Sequence, residues 1–416
     1  MTKKKKILFI HQNFPAQYKH IYKALIDEGH EVHSLSIKEY IDTNMVNHHY
    51  KLSSLSSENI NEWAVEFESK MIRAESAAKK ALEIKESGFY PDLIIGHPGW
   101  GETFFLKEVW SKAKLLSYVE FYYKTSNCDV DFDKEFVENV LKRDFDKFYN
   151  YTRFKLAARN APFLASYSTS DYLVCPTEYQ KNLVPEPIRS KIDVIHDGID
   201  TDVLKPNEDV TVTINGRQFS KNDNIVTYIS RSLDPYRGFH IFMRSLPEVL
   251  KNNPEANIFI VGGQDTHGYG APLKDGNFKD YFLNEIKGQV DIDKIFFLDF
   301  LEYSSYLRVL QISSVHVYLT YPFVLSWSLL EAMSCEAIII GSKTEPVTEV
   351  LTDNDTGLLI DFFDSDQLSQ KITKVLKNKK NYIKIKKNAR KKILRDYDLK
   401  KICLPAHLKL INKALK

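Results

Sequence analysis

Two short β-branched runs, Val315–Leu319 and Ala337–Ile340, bracket the stretch Tyr321-Pro-Phe-Val-Leu-Ser-Trp-Ser-Leu-Leu-Glu-Ala-Met-Ser334. The order reads strand, loop, helix, strand. Runs this short and this apolar belong to strands buried on both faces, which is the state of a parallel sheet covered by helices. The pattern recurs. Lys6–Ile10, Pro91–Ile95, Leu115–Val119, Tyr172–Cys175 and Ile192–Ile195 read as strands in the first half. Asn224–Ile229, Ala256–Val261, Lys294–Leu298 and Gly357–Ile360 join the first pair in the second half. Helical patterns separate most of them, so the expected class is α/β with two doubly wound, Rossmann-like domains.

A chain of 416 residues exceeds one ordinary core. The expected domains are 1–203 and 204–392, with 393–416 as a C-terminal helix. The polar stretch Asp202–Asp223, carrying Pro206, Asn207 and Gly216, reads as the linker. A first helix is expected from about Gln17 to Glu28, and a polar, helix-prone stretch up to Ser87.

Composition excludes several classes. The chain is 43% apolar and 27% charged, with a net charge of +2. No segment reaches the ~20 apolar residues of a membrane span. The basic start is followed only by Ile7–Ile10 before His11, too short for a secretory core. The four cysteines form no CxxC pair, which suits free thiols in a reducing, cytoplasmic setting. From 371 to 416 there are 17 Lys and Arg against two acids. That run reads first as a solvated helical surface and second as peripheral contact with an anionic membrane; interleaved aromatics are too few for nucleic acid.

Ligands of open α/β sheets bind beyond the carboxyl ends of strands. The loop Ser230-Arg-Ser-Leu-Asp-Pro-Tyr-Arg-Gly-Phe239 follows such a strand. Its guanidiniums, Arg231 and Arg237, suit a pyrophosphate, and Gly238 allows close approach to a helix start. One of the two arginines could instead pair with Asp234. The helix opening after Tyr321 offers backbone N–H groups and a dipole to phosphates, with Glu331 two turns on for ribose hydroxyls. Gly262 and Gly263 fail the dinucleotide spacing and read as a tight turn. The overlapping acidic triplets of Asn127–Asp133 read as an acceptor-side loop, with no metal site.

These features together resemble glycosyltransferase family 4. The resemblance rests on Arg231…Arg237-Gly238, Ile260-Val-Gly-Gly263, Leu330-Glu-Ala-Met333, Thr348-Glu-Val350 and His196-Asp-Gly-Ile-Asp200. It implies a GT-B fold with a cleft between two Rossmann-like domains. It also implies a retaining transfer of sugar from a nucleotide diphosphate donor, UDP- or GDP-linked, to a glycan or lipid-linked acceptor hydroxyl. Surface glycan synthesis is the usual work of such enzymes. No cofactor is implied, and the last helix is expected to pack on the first domain. By the same resemblance Arg231 and Arg237 grip the diphosphate, and Glu331 binds ribose.

The family's sugar-binding glutamate is replaced by Phe323, and the glycines of that loop by Val324 and Ser326, with Leu325 between them. Any non-proline residue still supplies an N–H. Ala16 and Gln17 stand where the family often has two glycines. His97 and Glu102, in Gly96-His-Pro-Gly-Trp-Gly-Glu102, are expected to point into the cleft on the acceptor side. Glu120 falls where many relatives carry a histidine near the sugar. Two other readings keep the fold: a sugar-nucleotide 2-epimerase, or a non-catalytic nucleotide-sugar-binding homologue.

Overall fold

The computed structural model describes residues 4–263 and 269–416. The first three residues of the basic start and 264–268 of the glycine-containing run after Gly263 lie outside the described residues. The chain forms two compact units: Met1–Val130, Asp146–Gly198 and Lys400–Lys416 make one, and Asp131–Phe145 with Ile199–Leu399 make the other.

The first unit is built on a seven-stranded sheet in the order β3-β2-β1-β4-β5-β6-β7. The strands are β1 (Lys6–Ile10), β2 (Glu31–Ser36), β3 (Val46–His49), β4 (Leu93–Gly96), β5 (Lys114–Tyr118), β6 (Tyr172–Cys175) and β7 (Ile192–Val194). Every pairing is parallel. β4 is buried at all four positions, as an apolar run covered on both faces requires. β3 is a difference from the sequence reading, which ran helix through this region. Only Val46 is apolar in Val-Asn-His-His, and it is exposed at the sheet edge, so no alternation announces the strand. Helix Leu404–Ala414 belongs to this unit and adds Leu410, Ile411 and Ala414 to its core.

In the second unit, β10 (Ile225–Ser232), β11 (Asn257–Gly263), β12 (Ile295–Phe297), β13 (Val315–Tyr318), β14 (Ile338–Ser342) and β15 (Leu358–Ile360) make a parallel sheet ordered β12-β11-β10-β13-β14-β15. They follow β8 (Thr211–Ile214) and β9 (Arg217–Ser220), an antiparallel hairpin. The expected linker is therefore ordered structure. Its turn is Asn215-Gly216, with φ of 50° and 77°, the left-handed pair that a two-residue hairpin loop needs. Phe219, 1% exposed, packs edge-on against Phe259 and seats the hairpin on the core.

Both sheets reverse direction beside their first strand, between β1 and β4 and between β10 and β13. Loops that leave those pairs on the carboxyl side diverge to opposite faces and leave a crevice. In the first unit these are the loops opening at His11 and His97, and in the second those opening at Leu233 and Leu319.

The segment 131–145 was expected in the first domain and instead belongs to the second unit. Its Phe132 ring lies 5.1 Å from those of Tyr321, Phe362 and Phe363. The Tyr321 hydroxyl donates to Asp133 Oδ2 at 2.6 Å, and His240 Nε2 lies 3.1 Å from the same oxygen. Burial alone would raise the Asp133 carboxyl. The bonds from His240 and Tyr321 and the Phe136 N–H outweigh it and hold the group below the usual range.

Candidate functional site

The strand runs on to Ser232, so Arg231, expected in the loop, lies within β10, and only Arg237 lies in the loop that follows. Arg231 is exposed and makes no hydrogen bond or ion pair among the described residues. Arg237 is 7% exposed. Its Nη1 donates to the Val324 carbonyl at 2.7 Å and to Thr320 Oγ1 at 2.9 Å. The guanidinium also lies 5.3 Å from the Tyr269 ring centre and 5.6 Å from that of Phe323. Arg237 thus ties the loop after β10 to the loop after β13. Neither arginine is held by Asp234. That carboxylate accepts the backbone N–H groups of Arg237 and Tyr269, and burial pushes it up to about 6.

Gly238 has φ 68°, and a Cβ there would overlap the Leu319 side chain, so glycine is what lets the two loops meet. Gly262 and Gly263 act alike at the end of β11: a Cβ would strike the Ser230 carbonyl or the Phe300 ring. They serve the close packing of strand ends.

Helix Trp327–Ser334 starts from Ser326, whose hydroxyl accepts the Ser328 N–H and whose own N–H donates to the Tyr318 hydroxyl at 2.7 Å. Leu325 is buried beneath, and Phe323, at the position of the family glutamate, packs on Tyr269 at 4.6 Å and Tyr236 at 5.4 Å. The Glu331 carboxylate receives the Tyr306 hydroxyl, and burial raises it. Sequence reasoning missed the collar of Tyr236, Tyr269 and Tyr321, and also Tyr306, because aromatic residues read as core.

In the first unit, the loops after β1, β4 and β5 bring His11, His97 and Glu120 together. The His11 and His97 rings are 5.4 Å apart. His97 Nδ1 accepts the Gly99 N–H at 3.1 Å, which leaves the ring proton on Nε2, 3.3 Å from Glu120 Oε2. His97 therefore serves Glu120 as a donor. His11 Nδ1 likewise accepts the Asn13 N–H, and burial lowers the ring to about 3, so it is neutral. The Gln180 amide donates to the Glu120 carbonyl and fixes the loop. Half of the Glu120 side chain remains exposed.

Glu102 does not join them, which corrects the expectation. It is fully buried, accepts the Tyr50 hydroxyl at 2.7 Å and is pushed up by burial to about 7. Ala16 takes a left-handed φ of 43°, the conformation that the family's glycine would adopt without strain, and Gln17 follows in the same turn.

Among the described residues, no group of three or more His, Cys, Asp or Glu side chains could hold a metal ion. Among the described residues, no helix is long and apolar enough to cross a membrane. All four cysteines are unbridged and buried.

Comparison with known proteins agrees with this geometry. Residues 28–204 match the model of the glycosyl transferase family 4 group, and 211–392 match glycosyl transferases group 1. An uncharacterised glycosyltransferase of Methanocaldococcus jannaschii is 24% identical over 271 residues, a match covering 62% of each chain. In fold, the chain is similar to sucrose-phosphate synthase of Thermosynechococcus elongatus, with TM-score 0.73, 15% identity and 99% of both chains covered. It is also similar to Anabaena HepE in complex with UDP and glucose, with TM-score 0.65 and 14% identity over 98% of this chain and all of that one. Two Rossmann-like units, each with loops gathered at its switch point, and two family matches that leave only 1–27, 205–210 and 393–416 outside, place the chain in glycosyltransferase family 4, with the GT-B fold.

Proposed function

We propose that this protein transfers a sugar from a nucleotide diphosphate sugar to an acceptor hydroxyl, with retention of anomeric configuration and without a metal. The observation that carries this reading is the contrast between the two arginines. Arg237 holds the loop after β13 through Nη1, while Arg231, the next-to-last residue of β10, is a solvent-facing cation with no hydrogen bond or ion pair of its side chain among the described residues. A leaving diphosphate develops negative charge as the anomeric carbon becomes cation-like. Arg231 and the dipole of helix Trp327–Ser334 would stabilise that charge. Glu331 would bind ribose through whichever oxygen Tyr306 leaves available.

On the acceptor side, Glu120 would accept a hydrogen bond from the reacting hydroxyl, its carboxylate oriented by the Nε2–H of His97. With Phe323 in place of the sugar-binding glutamate, the ring hydroxyls must be held elsewhere, and the half-buried rings of Tyr236 and Tyr269 offer stacking surface. The Anabaena relative was crystallised with UDP and glucose, which supports a uridine donor as the first to test. A surface glycan or its lipid-linked precursor is the acceptor class we propose. The test is incubation with UDP- and GDP-sugars and candidate acceptors, following release of the nucleoside diphosphate and the product's anomeric configuration by NMR. Donor-dependent transfer with retention supports the reading. Epimerised donor with no transfer would replace it by the epimerase.

A further inference from the structure

A cavity of about 300 Å³ lies within the first unit, next to His97 and Glu120. That volume is at the small end for ligand sites, enough for a sugar ring and a charged substituent. One wall is helix Val65–Glu86, where Glu66, Ser69, Lys70 and Arg73 follow each other on one face. The lining also includes Arg159 and Phe163 of helix Phe145–Thr169, which packs beside it.

Lys70 is the residue to explain. It is 8% exposed, its Nζ stands 4.8 Å above the Phe163 ring, and among the described residues no carboxylate lies within ion-pair distance of it. The nearest counter-charge is already committed: Glu66 receives the planar fork of Arg159, whose guanidinium is stacked 4.5 Å over Tyr123. Arg73 uses Nη1 on Ser69 and Nε on Gln12, which leaves Nη2 without a partner among the described residues. The cavity wall therefore carries three cations, Lys70, Arg73 and Arg159, against two carboxylates, Glu66 and Glu120. Burial costs the ammonium accordingly and lowers Lys70 to about 8, with Glu66 opposing. A lysine serving only as filler would extend its ammonium to solvent. This one keeps it over the Phe163 ring, and both residues line the cavity.

We propose that the cavity holds the acceptor by an oxyanion, a phosphate ester or a uronate carboxylate, paired with Lys70 and Arg73, and so presents a neighbouring hydroxyl to Glu120. The inference rests on the transferase reading for its link to the acceptor. The anion site itself can be tested without turnover. Calorimetric titration compares methyl glucuronide, glycerol 3-phosphate and methyl glucoside. The expected result is at least tenfold tighter binding of one or both anions than of the glucoside; which of them binds identifies the source. Lys70→Met should remove that preference and Lys70→Arg should keep it.

Equal affinity for the glucuronide and the glucoside with no phosphate binding, no binding of either anion, or a preference that survives in Lys70→Met would each overturn the proposal. The wild-type comparison needs no variant to fold. UDP and GDP titrations on the same samples keep the two readings apart. Loss of the anion preference with intact nucleotide binding sinks only the acceptor site. Absence of nucleotide binding sinks the donor assignment and leaves the anion result standing on its own.

Discussion

Arg237 Nη1 donates to the main-chain carbonyl of Val324 at 2.7 Å, so one arginine holds the backbone of the loop that opens helix Trp327–Ser334. That bond divides the labour of the two arginines. A buried guanidinium with several bonds is a structural member first. Arg237→Ala should lower unfolding stability by about 3 kcal/mol and activity at least tenfold together. Denaturant titration beside a transfer assay checks this. A variant with normal turnover and normal stability would show that the loop does not depend on Arg237.

Glu331 should matter for the nucleotide and little for turnover once the donor is bound. Its carboxylate already has Tyr306 as a partner, so the geometry is set before ligand arrives. Glu331→Ala is expected to raise the donor KM about tenfold, the loss of one charge-assisted hydrogen bond. An unchanged KM in steady-state kinetics would remove the ribose role.

Glu102 gives a pH dependence whose sign is fixed. Its folded value, about 7, lies above the ordinary value of 4.5, so burial favours the protonated form. The stability it contributes is full below about pH 4.5 and is lost as pH rises through 7. Glu102→Gln keeps an acceptor for Tyr50 and cannot ionise. At pH 8 it should stabilise the protein, by up to ~3 kcal/mol, with the gain shrinking towards pH 4.5. Thermal melts of both proteins from pH 4.5 to 8.5 test this; a gain that grows at low pH would refute it.

Ala16 holds a glycine-like φ of 43°. Ala16→Gly should relieve the steric cost and gain about 0.5–1 kcal/mol, less whatever glycine loses in chain entropy. A melting temperature that falls would mean the turn depends on the methyl group.

The proposed chemistry needs no metal. Asp133, from the acidic triplets, is occupied by Tyr321, His240 and the Phe136 N–H. EDTA should leave transfer within about twofold of its untreated rate. Restoration by added Mg²⁺ or Mn²⁺ after a larger loss would overturn the metal-free mechanism.

The alternation of strands and helices was legible because buried parallel strands are continuous apolar runs, and the loops that matter follow from their carboxyl ends. What escaped has physical reasons. β3 carries one exposed valine at a sheet edge and gives no periodic signal. The hairpin β8–β9 did have a signal, Asn215-Gly216 between alternating residues, and the polar composition around it masked it. The acidic triplets of Asn127–Asp133 read as an acceptor-side loop, yet Asp133 is buried against His240 and Tyr321, partners far along the chain that no local pattern announces. Glu102 looked like a site residue because no sequence pattern foretells that Tyr50 will meet it in the core. Lys70 stood at helical spacing with Glu66 and Arg73, but which face of that helix lines a cavity depends on the packing of Arg159 and Phe163 from another helix.

Calorimetric titration of UDP and GDP into the wild-type protein and Arg231→Ala tests the donor assignment most directly. Arg231 is exposed, so the substitution should leave folding stability within about 0.5 kcal/mol of wild type. One nucleoside diphosphate should bind the wild type and bind Arg231→Ala at least tenfold more weakly, which is about 1.4 kcal/mol. Binding undiminished in Arg231→Ala, or no binding of either nucleotide to the wild type, would contradict the account.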